Sequence, residues 1–422
     1  MKIEYKKETN YIRRRKIKAF RESLLYYIFR IFPIKKNRIT VTTYEGKGGF
    51  CCNPKYIVKE LHKRDTELEF IWLVNDPESK EFPDYIRKEK NDIWHRAYYL
   101  TTSKVWIDNY RKPLGTKKRR GQFYVNTWHG NLGFKRIGLW RGKAFSKMAY
   151  LVSKNDSDMI DVYLSSSDWT TRAHVRGMLY NGKIIKTGQA REDILHTSEH
   201  AIIKDKIKNL YHVSKDSYVL LYAPTYRETG QKTKRGVYKE ETTIDLNGIR
   251  QALEEKTGHK WVVFVKYHPQ IADQYTKLNM HDWLINVTDH EDVYELLAAS
   301  DAMITDYSSL AFEAASAQIP VFLYMDDLDE YVHDRGGLNF DVSPDHHFSV
   351  SQEITPGMHA ELPFMVATDN DEIIDNIRKF NKEEYGNKCV QMMHDLGMVT
   401  DGKASERATR IIEGILNSKI TI

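Results

Sequence analysis

The chain has 422 residues, of which 41% are hydrophobic and 29% charged, a composition typical of globular rather than disordered proteins. Its length favours two domains, and its three cysteines cannot form a disulfide framework, which fits a reducing compartment. No stretch approaches the ~20 apolar residues of a membrane-spanning helix, and no cleavable signal peptide is predicted.

Positive charge is concentrated in residues 1–38, which carry 13 Lys/Arg against three Asp/Glu, a net charge of +10, whereas the rest of the chain has a net charge of −4. Aliphatic and aromatic residues at 24–32 follow the basic cluster, a combination that suits the interface of an anionic bilayer. We therefore predict a basic amphipathic segment at 1–38 that lies on an anionic membrane surface. The alternative is a helix docked on the body of the protein. No nucleic-acid partner is predicted, because the body offers no basic groove that would continue such an arm.

From residue 38 onward, strand patterns alternate with helix patterns, which is typical of parallel sheets. In the first half, strands are predicted at 38–44, 69–74, 104–110, 123–127, 162–166 and 184–187, with a helix that begins at Pro54. In the second half, strands are predicted at 217–224, 261–267, 283–287, 302–305 and 320–324, with helices near 246–256, 292–299 and 404–416. The predicted fold class is α/β, with two Rossmann-like doubly wound domains at 39–200 and 201–422 that face a cleft. Ligands in such sheets bind at the carboxyl ends of the strands.

A histidine follows the strand predicted at 123–127, in the sequence Thr127-Trp128-His129-Gly130. Imidazole titrates near neutral pH, so His129 could accept a proton from a hydroxyl nucleophile. Gly130 would let a substrate approach the backbone closely. A surface or structural histidine is the alternative interpretation, because a His-Gly pair alone is a weak signal.

Two hydroxyl residues, Ser308 and Ser309, begin a predicted helix directly after the strand at 302–305. Free backbone N–H groups and serine hydroxyls at such a position favour a phosphate group, whereas simple helix capping is the alternative. Glu313 lies four residues after Ser309 and therefore on nearly the same helix face. It could contact a ribose or a base, or it could face solvent.

Other polar residues also follow predicted strands. Lys266 or His268 could neutralise phosphate charge, and Arg191 would point towards the interdomain cleft, although each also fits an ordinary strand-to-helix turn. The sequence contains no GxxxxGK[ST], GxGxxG, HExxH or CxxC pattern. No cofactor is therefore predicted, and a requirement for a divalent metal stays open.

Taken in order, these motifs resemble the CDP-glycerol glycerophosphotransferase family of teichoic acid and capsule polymer synthesis. The resemblance covers most of residues 39–340 and rests on Asn53-Pro54-Lys55, Trp106-Ile107, Thr127–Gly130, Gly188 with Arg191 and Asp193, Tyr222–Arg227, His268-Pro269 and Ile304–Glu313. It implies a GT-B fold whose first domain takes a polyprenyl-diphosphate-linked saccharide acceptor and whose second domain takes CDP-glycerol. The implied enzyme transfers glycerol phosphate to an acceptor hydroxyl, releases CMP and is peripheral on the cytoplasmic face of the cell membrane. A CDP-ribitol or nucleotide-sugar donor, and a non-catalytic scaffold, are the alternatives.

The resemblance also implies roles for individual residues. His129 and His268 would be catalytic, with His129 as the general base and His268 helping to stabilise the diphosphate. The donor would be bound by Trp128, Gly130, Asn131, Leu132, Arg191, Pro224, Thr225, Lys266, Tyr267, Ser308, Ser309 and Glu313. This chain has Asn131-Leu132 where the family has Thr-Pro, and Glu313 where the family usually has Asp.

Overall fold

The computed structural model describes residues 2–130, 132–225, 243–267, 281–335, 337–343 and 345–417. The chain divides into two compact units. The first unit is formed by Met1–Asn131, Ile137–Asp193 and Val399–Ile422, and the second by Leu132–Arg136 and Ile194–Met398.

The first unit contains a seven-stranded parallel sheet whose central strands are buried and rich in β-branched and aromatic residues. Its strands are β1 (Lys35–Thr42), β2 (Glu69–Val74), β3 (Ile86–Lys90), β4 (Ser103–Asp108), β5 (Phe123–Asn126), β6 (Val162–Ser165) and β7 (Lys183–Lys186). They lie in the order β3-β2-β1-β4-β5-β6-β7, so the strand order reverses between β1 and β4, where Val41 pairs with Ile107. The main helices of this unit are Lys2–Ile28, Cys52–Arg64, Ile93–Thr102, Lys147–Ser157 and Ala404–Leu416, with a short helix at Asp168–Thr170 that continues into a π-helical turn at Thr171–Val175.

The second unit contains a six-stranded parallel sheet with the same kind of strand order. Its strands are β8 (Tyr218–Tyr222), β9 (Trp261–Val265), β10 (Leu284–Asn286), β11 (Ala302–Thr305), β12 (Val321–Tyr324) and β15 (Met365–Ala367), and β13 (Phe340–Val342) pairs antiparallel with β14 (Phe348–Val350). The order β10-β9-β8-β11-β12-β15 reverses between β8 and β11. The helices are Glu199–Leu210, Leu246–Thr257, Val293–Ala298, Leu310–Ser316, Leu328–Arg335, Asn370–Lys379 and Lys382–Asp395, and a short helix, Asp193–His196, begins at the boundary between the units.

The compact units differ from the predicted ranges 39–200 and 201–422 in three places, the first of which is the boundary, which follows Asp193 and not residue 200. The last helix, Ala404–Leu416, belongs to the first unit, where the Asp193 carboxylate accepts hydrogen bonds from the backbone N–H groups of Ala404 (3.0 Å) and Ser405 (2.7 Å). The five residues Leu132–Arg136 belong to the second unit, because Phe134 is fully buried in an aromatic cluster there. Its neighbours are Phe312, Phe340, Phe348 and Phe364, at ring-centroid distances of 5.0–6.0 Å.

The segment predicted at 1–38 consists of the helix Lys2–Ile28, a short turn and the beginning of β1 at Lys35. One helix face packs on the first unit, where Tyr26 is buried and Phe29 meets the ring of Tyr98 edge-on at 5.6 Å. Arg38 is not part of an exposed basic arm, because it is buried in β1 and paired with Glu69 at 2.9 Å. Among the described residues, no helix is both long and apolar enough to cross a membrane.

Candidate functional site

The loop after β5 holds Trp128 in an unusual backbone conformation. Its φ of 50° lies in the left-handed region, which is sterically unfavourable for a tryptophan and is often found at functional sites. Asn126 accepts a hydrogen bond from the Trp128 backbone N–H at 2.8 Å, and the Asn53 side chain donates to the Trp128 carbonyl at 3.1 Å. These two side chains fix both ends of Trp128 and so set the direction in which the next residue points.

That next residue, His129, is held at the reversal point of the first sheet. Its Nδ1 lies 2.7 Å from the carbonyl oxygen of Asn109, directly after β4. Its ring stacks on Tyr110 at 5.1 Å and meets Tyr44, which follows β1, edge-on at 5.3 Å. Because a carbonyl can only accept, Nδ1 carries the proton and Nε2 carries the lone pair. The structure therefore presents Nε2 as the atom that can take a proton.

Burial keeps the imidazole neutral. The pKa of His129 is lowered from 6.5 to about 4, and burial is the largest cause. The hydrogen bond to Asn109 raises the pKa, whereas the nearby Arg191, His174 and Arg111 contribute to lowering it. In the free protein, the Nε2 lone pair is therefore available throughout the neutral pH range. An anionic ligand nearby would raise this pKa and increase the proton affinity of the imidazole.

Arg191 is fully buried in the first unit and supports this loop from within. Its Nη1 donates to the His129 carbonyl at 2.7 Å and to the Cys52 sulfur at 3.2 Å, and its backbone N–H donates to the Asn53 side chain at 3.2 Å. The sequence predicts a donor contact for Arg191. In this structure its guanidinium positions the backbone of His129.

A second histidine, His174, lies behind Gly130. It is buried in the π-helical turn Thr171–Val175, and its Nδ1 lies 3.2 Å from the Gly130 carbonyl. Burial lowers the pKa of His174 to about 4, so this ring is also neutral. A Cβ built on Gly130 would meet its nearest neighbours, Trp128 and His174, at 3.7 and 3.9 Å, so packing within the protein does not require glycine at this position.

A buried polar cluster lies beneath the segment that carries Asn109 and Tyr110. Lys112 and Asp108 form an ion pair at 2.6 Å, and both side chains are almost completely buried. Asp156 accepts hydrogen bonds from the Lys112 backbone N–H at 2.8 Å and from the Tyr124 hydroxyl at 3.1 Å. Burial raises the pKa of Asp156 to about 7. This cluster fixes the four residues after β4, of which Asn109 and Tyr110 contact the His129 ring.

In the second unit, predicted donor residues meet at the point where the strand order reverses. Both oxygens of Asp306, after β11, accept from the backbone N–H of Thr225, after β8, at 2.9 and 3.0 Å. Thr305 donates to the Ala223 carbonyl at 2.6 Å. Pro224, Thr225, Ser308 and Ser309, which belong to these two joined turns, are all half-buried. Open parallel sheets bind their ligands at this kind of crevice.

The other predicted donor residues have different surroundings. The Lys266 ammonium donates to the carbonyls of Thr288 (3.0 Å) and His290 (2.7 Å), and Tyr267 is buried beside it. Glu313 is fully buried in the helix Leu310–Ser316, and Leu132 is fully buried in the second unit. The predicted site residues Asn131 and His268, and the motif residues Tyr226, Arg227 and Pro269, lie outside the described residues. Within the described part of the chain, no group of three or more His, Cys, Asp or Glu residues is arranged to hold a metal ion.

Several residues that shape this site have no chemical role that the sequence predicted. Asn53, Asn109 and Asn126 could have been suspected, because Asn126 ends β5, Asn109 directly follows β4 and Asn53 lies in the first turn of a helix. The position of His174 behind Gly130 could not be predicted, because nothing in the sequence indicates a π-helical turn at this point.

Known proteins resemble this chain over most of its length. A family model described as CDP-Glycerol:Poly(glycerophosphate) glycerophosphotransferase matches residues 24–414. The chain is 26% identical over 416 residues to the teichoic acid glycerol-phosphate transferase of Staphylococcus aureus (strain NCTC 8325 / PS 47), covering 94% of this chain and 98% of that protein. It is also 26% identical over 371 residues to the teichoic acid poly(glycerol phosphate) polymerase of Bacillus subtilis (strain 168), covering 86% of this chain. The match spans only 46% of that polymerase, about half of its length.

Among solved structures, the Wall Teichoic Acid Polymerase TagF superimposes with a TM-score of 0.78 at 22% identity, and all of both chains is covered. At this level of identity the likeness shows a shared fold. Together with the two parallel sheets, it confirms the predicted GT-B class of two Rossmann-like domains.

Proposed function

Because the chain belongs to the CDP-glycerol:poly(glycerophosphate) glycerophosphotransferase family, we propose that it transfers glycerol phosphate from CDP-glycerol to a hydroxyl group of a polyprenyl-diphosphate-linked saccharide and releases CMP. The observation that carries this proposal is the state of His129. Its Nδ1–H is engaged by the Asn109 carbonyl, and its neutral Nε2 can accept a proton. A general base for a hydroxyl nucleophile needs this arrangement.

In the proposed reaction, Nε2 of His129 takes the proton of the acceptor hydroxyl as its oxygen attacks the β-phosphorus of CDP-glycerol. The bond between that phosphorus and the oxygen of CMP breaks, and CMP leaves with the electron pair. Positioning and charge stabilisation dominate such phosphoryl-group transfers. Trp128, Asn53 and Arg191 contribute by fixing the His129 backbone.

The second unit is the proposed donor site. The turns after β8 and β11 are joined at the reversal point of the sheet, where Thr225, Ser308 and Ser309 offer hydroxyl groups. The family to which the chain belongs supports assigning both sites to one reaction.

Attachment to the cytoplasmic face of the cell membrane is part of the proposal, because the lipid-linked acceptor is confined there. The N-terminal helix supports it. Its outer face carries exposed Ile17, Phe20, Leu24 and Ile28 at helical spacing, and exposed basic residues at 13–16 flank this stripe.

The direct test is to incubate the purified protein with CDP-glycerol and a synthetic lipid-linked disaccharide, and to measure products by mass spectrometry. We expect an added glycerol phosphate unit and one CMP for each transfer, and a 10²–10⁴-fold lower turnover for His129→Ala. Parallel reactions with CDP-ribitol and UDP-sugars test the alternative donors. Absence of CMP release with every donor would instead support the non-catalytic scaffold. Near-normal turnover of His129→Ala would remove His129 from the proposed role.

A further inference from the structure

A second basic region surrounds His129 in the sequence. Residues 109–155 contain 12 Lys/Arg and no Asp or Glu, although the chain beyond residue 38 has a slightly acidic balance overall. Some of these cations are paired within the structure, for example Lys112 with Asp108, Lys118 with Asp161 and Lys154 with Asp158. The remaining ones raise the local positive potential around the loop that carries the proposed base.

Three of these cations form an exposed group that we name the basic tip: Arg141, Lys143 and Lys147. All three side chains are exposed, and among the described residues none has a carboxylate within ion-pair distance. Two large apolar side chains, Leu139 and Tyr150, are exposed beside them in the chain, at 47% and 41%. Exposed cations next to exposed apolar groups fit a ligand that has both an anionic and a hydrocarbon part.

The base of this tip is anchored to residues 173–177 of the same unit, next to the histidine that contacts Gly130. Trp140, directly before Arg141, donates a hydrogen bond to the Ala173 carbonyl at 2.6 Å, and a Cβ on Gly177 would meet the Trp140 ring at 2.6 Å. Gly138 has a φ of 53°, and a Cβ there would lie 2.1 Å from the Gly177 carbonyl. The next residue after Ala173 is His174, which contacts the Gly130 carbonyl. The basic tip is thus fixed relative to the proposed base and is not a free loop.

We propose that the basic tip binds the anionic diphosphate of a lipid-linked acceptor, with Leu139 and Tyr150 against the adjoining hydrocarbon chain. This inference rests on the proposed function and names the acceptor subsite within it. A diphosphate that links a lipid to a saccharide carries two negative charges, which three cations at one short tip are sufficient to neutralise. They are few compared with the many exposed basic residues of the N-terminal helix, which suit an extended bilayer surface better.

The test uses the full chain and two soluble probes, farnesyl diphosphate and farnesol, with binding measured by calorimetry. We expect the wild-type protein to prefer farnesyl diphosphate. The triple variant R141Q/K143Q/K147Q should bind it ~10-fold more weakly, with farnesol unaffected. The matched control is R378Q/K379Q/K382Q, which removes one exposed arginine and two exposed lysines from the second unit and should not change binding. Equal affinity of the wild-type protein for both probes, or unchanged affinity of the tip variant, would overturn the proposal.

Turnover gives an independent readout. The tip variant should raise KM for the lipid-linked acceptor ~10-fold and leave KM for CDP-glycerol unchanged. A rise in KM for CDP-glycerol alone would assign the tip to the donor and contradict the proposal. Weaker flotation on anionic vesicles with unchanged farnesyl diphosphate binding would assign it to the bilayer and also contradict the proposal. If the wild-type protein releases no CMP, the proposed function fails, whereas the farnesyl diphosphate experiment still decides whether the tip binds a lipid diphosphate.

Discussion

The neutral imidazole of His129 is a property of the residues that enclose it. Tyr44, Tyr110 and Trp128 surround the ring with aromatic faces and edges, and the Asn109 carbonyl takes its Nδ1 proton. This environment lowers the pKa to about 4, which provides a free lone pair but a weak base. In the proposed reaction, an anionic donor would raise the pKa of His129 and so make it a stronger base, because negative charge favours the imidazolium form.

This reasoning predicts two different acidic limbs in the pH profile. The limb of kcat/KM reports the free protein and should lie near pH 4, well below the ordinary 6.5 of histidine. The limb of kcat reports the complex with donor and should lie at a higher pH. Replacing Arg111, which is one of the cations that lower the His129 pKa, with Gln should move the kcat/KM limb upward. Steady-state rates from about pH 3 to 9 measure both limbs, and a kcat/KM limb that stays at 6.5 would contradict this account of the site.

The sequence singled out His129 as the proposed base, but it did not predict the residues that support it. His129 was recognisable because it follows a strand and precedes glycine. The left-handed φ of Trp128 was not predictable, since tryptophan normally avoids that region and its stabilisation comes from Asn53, 75 residues earlier in the chain. The burial of Arg191 was also not predictable. An arginine after a strand is usually exposed, and here a carbonyl and a thiol compensate for its desolvation.

At the scale of elements, runs of apolar and β-branched residues in the sequence predicted most of the strands correctly. β2 (69–74) and β11 (302–305) have the predicted bounds, and others differ by one to three residues at their ends. The sequence missed β3, Ile86–Lys90, because it lies at the sheet edge and four of its five residues are charged. It also missed β13, β14 and β15, which have only three residues each and give no periodicity to detect.

The N-terminal helix has a buried face, as expected for a helix docked on the body, and an exposed face with large apolar residues, which the membrane-surface prediction requires. Ile12, Ser23 and Tyr26 are buried on the first unit, whereas Phe20 and Leu24 are 66% and 45% exposed. Removing the whole segment would expose the surface that Tyr26 covers and would confuse misfolding with loss of membrane binding. Point substitutions on the outer face avoid this difficulty.

We predict that the double variant F20E/L24E lowers partitioning onto vesicles of 25% phosphatidylglycerol in phosphatidylcholine by at least tenfold. Burial of each large apolar side chain contributes ~1.5–3 kcal/mol, and the added carboxylates are repelled by the anionic surface. The matched control is I202E/L210E, which makes the same kind of change at two exposed residues, 69% and 54% accessible, on the helix Glu199–Leu210 of the second unit. Sedimentation with vesicles measures both variants. Equal loss in both would show that charge alone is responsible, and loss in neither would place the membrane contact elsewhere.

At the scale of the whole molecule, the chain alternates between the two units more often than its sequence suggests. A simple division near residue 200 follows from the alternation of strands and helices, and it separates the two sheets correctly. This division places Leu132–Arg136 and the last helix, Ala404–Leu416, in the wrong unit. Periodicity shows that a segment is a helix with one apolar face, but it does not show which apolar surface covers that face.

The return of the last helix to the first unit makes a specific prediction about local stability. Asp193 caps this helix by accepting hydrogen bonds from its first two N–H groups, although it precedes them by more than two hundred residues. Asp245 plays the corresponding part in the second unit, where it accepts from the N–H groups of Asn247 and Gly248 at 3.1 and 3.0 Å. Loss of such a cap costs about 1–2 kcal/mol.

Asp193→Ala should therefore accelerate amide hydrogen exchange ~5–30-fold in the helix Ala404–Leu416 and in its packing partner Cys52–Arg64, and leave Leu246–Thr257 unchanged. Asp245→Ala should show the reverse pattern, because the capped helix packs on Asn370–Lys379 within the second unit. Hydrogen exchange read by mass spectrometry distinguishes the two. If Asp193→Ala instead accelerated exchange in Leu246–Thr257 and spared Cys52–Arg64, the last helix would belong to the second unit, as the simple division near residue 200 assumes. Hydrogen exchange in the Asp193→Ala variant thus tests which unit the C-terminal segment stabilises. The two outcomes are the unit that carries the proposed base and the unit that is proposed to bind the donor.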